Sequence, residues 1–425
     1  MLSTLRVHQL RNIAQADLAL SQYNLITGAN GSGKTSLLEA VFLLSRGKTF
    51  RHHEPKRYIT HHTNACTVWA KTQDGTALAI QKQLDAANLA TTILRLNDTP
   101  LTAQSELAKR LPVLLIDPAG MTVLEEGSGA RRQLLDWLAF HVKPTFHNEW
   151  LAYQRLLKQR NALLKSARCA RELAAWDQQL SQHAARLHEA RQAVFAAWHP
   201  LFLAMVAQLL PAYADRIKLS YSAGFDVSAG LFAVLQSRID GDVELGYTRV
   251  GAHRADVSVT MGGTAQQREQ ASNVLSRGEK KLLITALKLS QLQLICQYRT
   301  SQAAAFDGAL PMVLIDDIDA ELDERAVEVF LDVALALPCQ LFISSLQAGI
   351  AKTIIAKLKV KHAQGTSFQN QPSQEQISQN PPSQDSTAQD APPLSQSFDG
   401  QAQDLLKVFT VHQGAVSAVQ MMNDE

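Results

Sequence analysis

Gly28-Ala29-Asn30-Gly31-Ser32-Gly33-Lys34-Thr35 fits the pattern G-x-x-x-x-G-K-[ST] without a mismatch. Upstream, Tyr23-Asn24-Leu25-Ile26-Thr27 reads as a short buried strand. Downstream, Ser36-Leu37-Leu38-Glu39-Ala40-Val41-Phe42-Leu43-Leu44 reads as a helix with an apolar face. Strand, glycine loop and helix in that order form the context in which the pattern holds phosphate. The glycines let backbone N–H groups curl around a polyphosphate, and the helix N-terminus adds unpaired donors and its dipole. Lys34 is expected along the β- and γ-phosphates, and the Thr35 hydroxyl on Mg²⁺. The stretch implies a nucleoside triphosphate site with Mg²⁺.

A second run, Met312-Val313-Leu314-Ile315-Asp316-Asp317, is four apolar residues ending in two carboxylates. A buried strand that delivers acids at the C-terminal edge of a parallel sheet places them where such folds bind ligands. Asp316 is expected to hold Mg²⁺ through water, and Asp317 to polarise the water that attacks the γ-phosphate. Asp319-Ala320-Glu321-Leu322-Asp323 follows and resembles the D-loop of ABC-type ATPases, a resemblance that implies ATP as the nucleotide. Between the two halves, Leu275-Ser276-Arg277-Gly278-Glu279-Lys280-Lys281 opens a helix, with Ser276 as its N-cap and Gly278 allowing close approach. In ABC-type ATPases a signature of this kind reaches the γ-phosphate of a partner subunit. Ser276, Arg277, Gly278 and Glu279 are therefore expected to act in trans.

The 425 residues exceed one average core, which suggests two domains or one elaborated domain. A net charge of +2 means that any nucleic-acid surface must be a local patch. Cys66, Cys169, Cys296 and Cys339 form no C-x-x-C pair, which suits reduced thiols and gives no support for zinc. No apolar run approaches a membrane span, and the expected location is the cytoplasm.

The texture divides the chain. Residues 1–135 read as the N-terminal part of an ATPase head and 136–240 as a helical lobe. Residues 241–362 read as the C-terminal part of the head, 363–402 as a disordered Gln/Ser/Pro-rich insertion, and 403–425 as a terminal strand. In the lobe, Leu173, Leu180, Leu187 and Val194 recur at seven-residue steps, and Lys143-Pro144 and His199-Pro200 are expected to interrupt the helices. The fold class is α/β: a P-loop ABC-type ATPase head with an inserted α-helical lobe.

Longer motifs carry a resemblance. Leu10-Arg11-Asn12, Gly28 to Glu39, Arg46 to Arg51, Arg131 to Asp136, Tyr153 to Asn161, Thr248 to Asp256, Leu275 to Glu279 and Leu314 to Asp317 together resemble the bacterial RecF recombination-mediator family. The likeness extends over nearly the whole chain. Ala252 departs from the proline usual there, and the Gln/Ser-rich insertion is additional. The resemblance implies a clamp that dimerises on ATP and acts at gapped or single-strand/double-strand junction DNA. It further implies help in loading RecA recombinase with the RecO and RecR mediators, in fork repair and the SOS response. Activity would be a weak, DNA-stimulated ATPase used as a switch.

From Leu151 to Arg171 there are six basic residues and no acid. Arg155, Lys158, Arg160, Lys165 and Arg168 are the candidates for DNA-backbone contact. Arg46, Lys48, Arg51, Lys56 and Arg57 form a second basic cluster, with Lys48 and Arg51 as the next candidates. Two other readings share the nucleotide motifs. A transporter ATP-binding subunit would have a Leu-Ser-Gly-Gly-Gln signature and a switch histidine where Ser344-Ser345 stands. An SMC-like structural chromosome protein would need hundreds of residues of heptads between the head halves.

Overall fold

Buried Leu2, Leu5, Val7 and Leu10 alternate with exposed Arg6 and His8, and Ile13, Ala16 and Leu18 repeat the pattern after a tight turn. The turn places Arg11 at a φ of 57°. This hairpin opens the computed structural model, which describes residues 1–165, 170–262, 269–302, 309–319, 324–347, 349–369 and 405–419.

In chain order the first elements are β1 (Leu2–Leu10), β2 (Ile13–Ala19), β3 (Tyr23–Thr27), α1 (Lys34–Arg46), β4 (Ala65–Thr72), β5 (Ala77–Leu84), β6 (Ala90–Leu96), β7 (Thr99–Leu101) and α2 (Gln104–Arg110). The middle stretch holds β8 (Val113–Ile116), α3 (Thr122–Glu125), α4 (Ser128–Val142), α5 (Phe146–Lys165), α6 (Ala170–Leu209) and β9 (Ile217–Ser222). It continues through α7 (Leu231–Ser237), α8 (Ile239–Leu245), β10 (Asp256–Met261), β11 (Glu269–Gln270), α9 (Ala271–Val274) and α10 (Arg277–Ser301). The last described elements are β12 (Met312–Ile315), α11 (Glu324–Ala336), β13 (Gln340–Ser345), α12 (Ile350–Gln369), β14 (Leu406–His412) and β15 (Ala415–Val419).

Packing divides the chain into one unit of Met1–Ala108 with Met312–Glu425 and a second of Lys109–Pro311. The divisions fall at 108/109 and 311/312, not at the 135/136 and 240/241 read from texture. The reason is that α4 lies on α6 and β10, and α10 lies on α6. Both flanks of the helical lobe, including the helix that Ser276 opens, therefore belong with it.

In the first unit an antiparallel sheet runs β2-β1-β4-β5-β6-β7. A second sheet holds the order β15-β14-β3-β13-β12. Its strands β14, β3, β13 and β12 are parallel, and β15 is antiparallel to β14. Every residue of β3 is buried, as a central parallel strand requires. Helix α1 touches β1, β4 and β5 of one sheet and β13 of the other, so Leu37, Leu38, Ala40, Val41, Leu43 and Leu44 are all buried. Because β13 lies between β3 and β12, the glycine loop after β3 and the acids after β12 leave the sheet at one edge.

In the second unit α5 and α6 pack side by side, and Leu173, Leu180, Leu187 and Val194 form a buried seam. Lys143-Pro144 does separate α4 from α5, but α6 runs on through Pro200. The proline lacks one N–H and is tolerated because buried Trp198 and Phe202 anchor the helix on either side. The Trp198 indole N–H also donates to the Ser290 hydroxyl on α10 at 2.8 Å. By length and composition Leu173–Leu209 could cross a membrane. Asp177 and Arg191 on it are buried in ion pairs, which marks a packed helix of this unit.

Cys66, Cys296 and Cys339 are buried and form no disulfide among the described residues; Cys169 lies outside them. Helix α12 continues to Gln369, so the first seven residues of the expected 363–402 insertion are helical. Residues 370–402 lie outside the described residues.

Candidate nucleotide site

The backbone of the glycine loop occupies conformations that side chains resist. Gly28, Gly31 and Gly33 have φ of 151°, 75° and 123°, and a Cβ on Gly28 would collide with the Val411 carbonyl oxygen of β14. Helix α1 starts directly after Gly33 with no side-chain cap, which leaves its first N–H donors to an anion. The buried Lys34 ammonium donates to the carbonyl oxygens of Gly28 at 2.9 Å and Ala29 at 3.2 Å, spanning the loop it serves.

Thr35 and Asp316 meet at the mouth of this loop. The Thr35 hydroxyl donates to Asp316 Oδ1 at 2.9 Å, and the Ser344 hydroxyl donates to the same oxygen at 2.9 Å. Burial raises the Asp316 carboxyl above its ordinary pKa; the Ser344 hydrogen bond opposes this and the neighbouring Asp317 adds to it. A divalent cation would relieve that cost, and two hard oxygens 2.9 Å apart suit Mg²⁺. Among the described residues no cluster of three or more His, Cys, Asp or Glu could hold a metal. Magnesium usually keeps one or two protein ligands and completes its shell with phosphate and water.

Asp317 has a φ of 49°, in the left-handed region, and its N–H donates to Ser344 Oγ at 2.8 Å. Its Oδ1 is buried and has no hydrogen-bond partner among the described residues. A buried carboxylate oxygen left unsatisfied next to a phosphate loop is positioned for a ligand or a water.

Three residues here escaped the motif reading. The Arg51 guanidinium, expected among DNA contacts, donates to Thr35 Oγ1 at 3.0 Å and to Asp316 Oδ2 at 3.4 Å. Arg51 therefore belongs with the candidate nucleotide site. Burial lowers the Arg46 pKa to about 10, and Lys56 and Arg57 both face Glu54. Ser344 bridges the two acids, and Asn12 donates into the glycine loop from a turn 19 residues upstream. Leu10-Arg11-Asn12 marked Asn12 only through the family resemblance, and only the parallel pairing of β13 with β3 and β12 reveals Ser344.

The second unit carries the other expected residues. Ser276 is exposed and closes a capping box: its Oγ accepts from Glu279 N–H, and Glu279 Oε2 accepts from Ser276 N–H at 2.8 Å. Tyr213 donates to the other Glu279 oxygen at 2.7 Å. Arg277 is exposed and Gly278 opens onto free space, as a surface that meets another molecule would require. Of the D-loop only Asp319 is described, and it accepts from Ser345, Leu346 and Gln347; 320–323 lie outside.

On α5, Arg155, Lys158 and Lys165 are exposed. Arg160 is not a DNA candidate. It is fully buried, donating to Asp177 at 2.5 Å, Asp242 at 2.9 Å and Thr248 at 2.8 Å. Arg168 lies outside the described residues.

The longest motifs converge on that same hub. Arg131 grips Asp256, Arg132 reaches the Ala255 carbonyl, and Asp136 holds Arg191, which donates to the Ala252 carbonyl. Burial lowers the His253 pKa to about 4, so the ring is neutral at neutral pH. Its Nε2 faces the Thr248 carbonyl at 3.1 Å and must carry the proton; Nδ1 then accepts from the Tyr153 hydroxyl at 2.8 Å. Asn161 completes the set by accepting from Thr248. These residues hold the second unit together.

Residues 1–368 match the family model of the RecF/RecN/SMC N-terminal domain. The chain is 39% identical over 348 residues to the DNA replication and repair protein RecF of Acinetobacter baylyi, spanning 81% of this chain and 91% of that one. To RecF of Coxiella burnetii it is 37% identical over 349 residues, 81% of this chain and 92% of that one. The solved recombination mediator protein RecF-ATP in the RecFOR pathway matches the fold with a TM-score of 0.70 at 19% identity, covering 99% of this chain and 97% of that one. A Pyrococcus yayanosii Smc head domain with a coiled coil and joint gives 0.51 at 11% identity, covering 99% and 97%.

Proposed function

This chain belongs to the RecF family, whose similar members are DNA replication and repair proteins, and on that premise we propose that it is an ATP-dependent DNA clamp. ATP brings two heads together and hydrolysis releases them. The observation that carries this reading is the convergence of Lys34, Thr35, Asp316 and Asp317 at the open N-terminus of α1, with Asp317 Oδ1 unsatisfied among the described residues.

Gly28 to Thr35 would hold the polyphosphate, with Thr35 and Asp316 on Mg²⁺. The ion would supply neutralisation of charge between the β- and γ-phosphates. Asp317 orients a water and takes up its proton as the water oxygen attacks the γ-phosphorus. The bond from that phosphorus to the bridging oxygen breaks, and ADP and inorganic phosphate leave. Ser276 and Gly278 would complete the site on the partner's nucleotide, the Ser276 hydroxyl keeping its proton to donate because it accepts from Glu279 N–H. DNA would lie along exposed Arg155, Lys158 and Lys165. By family kinship the substrate is gapped or junction DNA, and the clamp assists RecA loading with RecO and RecR.

Sedimentation with ADP, with ATP and with ATP plus gapped DNA tests the clamp. ATP alone should drive dimerisation. Ser276→Arg should leave monomer ATP binding intact and abolish the dimer, because a guanidinium at the cap fills the space a phosphate needs. Normal dimerisation by that variant would refute the trans signature.

Charge reversal of Arg155, Lys158 and Lys165 to Glu should weaken binding on every DNA sequence alike. The salt slope should fall by roughly 0.9 for each duplex phosphate that the variant no longer neutralises. A slope equal to that of the unsubstituted chain would put the DNA on another face.

A further inference from the structure

The glycine loop is gripped from outside by two turns. The first is the β1–β2 turn: Asn12 Nδ2 donates to the carbonyl oxygens of Gly31 at 3.2 Å and Ser32 at 2.8 Å. Asn12 Oδ1 in turn accepts from the Ser36 hydroxyl on α1 at 3.0 Å. The second is the β14–β15 turn, where Gly414 N–H donates to the same Ser32 carbonyl at 2.8 Å. Gly414 has a φ of 83°, and a Cβ there would run into the Asn12 carbonyl oxygen, so the two turns also lock each other.

Peptide planarity gives this grip a direction. In a trans peptide the N–H points opposite to the C=O of the same plane. Two donors pulling the Ser32 carbonyl outward therefore turn the Gly33 N–H inward, toward the phosphate side of the loop. The Ser32 N–H, behind the Gly31 carbonyl, is instead held within the loop by the Ala29 carbonyl oxygen at 3.2 Å. Orienting the Gly33 N–H before nucleotide arrives removes an ordering cost from binding.

We propose that the Asn12 side chain and the Gly414 backbone are positioning groups for the phosphate loop, which makes the C-terminal hairpin β14–β15 a part of the nucleotide site. This hairpin lies beyond residues 1–368, the stretch that matches the family model. Its strand β14 pairs directly with β3, Leu406 opposite Tyr23 through Thr410 opposite Thr27, so it delivers Gly414 to the loop in fixed register. The proposal rests on the ATP reading above and adds to it which groups outside the motif set the loop's shape.

The test uses the full chain carrying Asn12→Asp or Gly414→Ala, with steady-state ATP hydrolysis and calorimetric titration of ATP with Mg²⁺. Asn12→Asp keeps the oxygen that serves Ser36 and replaces the two donors with a second oxygen facing two carbonyls. KM and Kd for ATP should rise about tenfold in each variant while kcat stays near that of the unsubstituted chain. A merely structural defect would lower the folded fraction, and so the apparent kcat, with KM unmoved. Should Gly414→Ala fail to fold, Asn12→Asp decides alone. An ATP affinity within about twofold of the unsubstituted chain for Asn12→Asp overturns the proposal. Lys34→Met separates the two levels: if it binds ATP as tightly as the unsubstituted chain, the ATP site itself is misplaced and the positioning claim falls with it.

Discussion

Replacing Asp317 with Asn should slow ATP turnover by about 10²–10⁴-fold and leave ATP binding intact, the range typical for removing one general base. The expectation follows from what each acid touches. Asp316 is committed to Thr35 and Ser344, the pair of contacts from which its proposed role at Mg²⁺ follows. Asp317 Oδ1 has no partner among the described residues, so its role begins only when a water arrives. Asparagine suits the test because it tolerates the left-handed backbone at φ 49° at least as well as aspartate, which spares the fold. With release blocked, the variant should accumulate as an ATP-bound dimer and stay on DNA longer than the unsubstituted chain. Lys34→Met gives the contrast: poor ATP binding, no dimer and no clamp. Dimer lifetime on DNA, followed with ATP for both variants, settles the order of events. Release of Asp317→Asn at the normal speed would mean that hydrolysis is not the exit step.

The nucleotide half of this site was legible because its signals are local. A glycine loop, the helix after it, and an apolar strand ending in acids each occupy a short consecutive stretch, and each forms where the pattern puts it. Arg51 was misassigned because its partner Asp316 is 265 residues away. Six basic residues without an acid between Leu151 and Arg171 suggested one exposed face. The helical period divides them instead: Arg155 and Lys158 face water, while Arg160 turns inward to acids 17 and 82 residues distant. Pro200 misled in the opposite sense, since a breaker weighed alone takes no account of Trp198 and Phe202 packed around it. The unit boundaries moved for the same reason, as the first half of α4 and all of α10 read as head by texture but pack on α6.

Arg160→Met should cost about 3–5 kcal/mol of stability, the usual penalty for leaving buried charge without its partner. Asp177 and Asp242 are both buried, and Arg160 is the cation they share. Methionine keeps the length and the apolar stem but supplies no donor, so two carboxylates would be deprived of its hydrogen bonds inside the unit. Asp242 retains Arg249 at 3.2 Å and Asp177 retains Gln236 at 3.1 Å, which limits the damage to partial loss of compensation. Adding Asp177→Leu to Arg160→Met should recover part of the stability, because removing a buried charge together with its partner lowers the desolvation cost. Urea unfolding of the single and double variants reads this directly. The same proteins separate the two roles offered for this arginine. A DNA contact would lower the salt slope of binding by roughly one phosphate's worth and leave the unfolding midpoint alone. A buried clamp lowers the midpoint and leaves the slope of the folded fraction unchanged. A normal midpoint with a reduced slope would return Arg160 to the DNA face and place the Asp177–Arg160–Asp242 bridge in error.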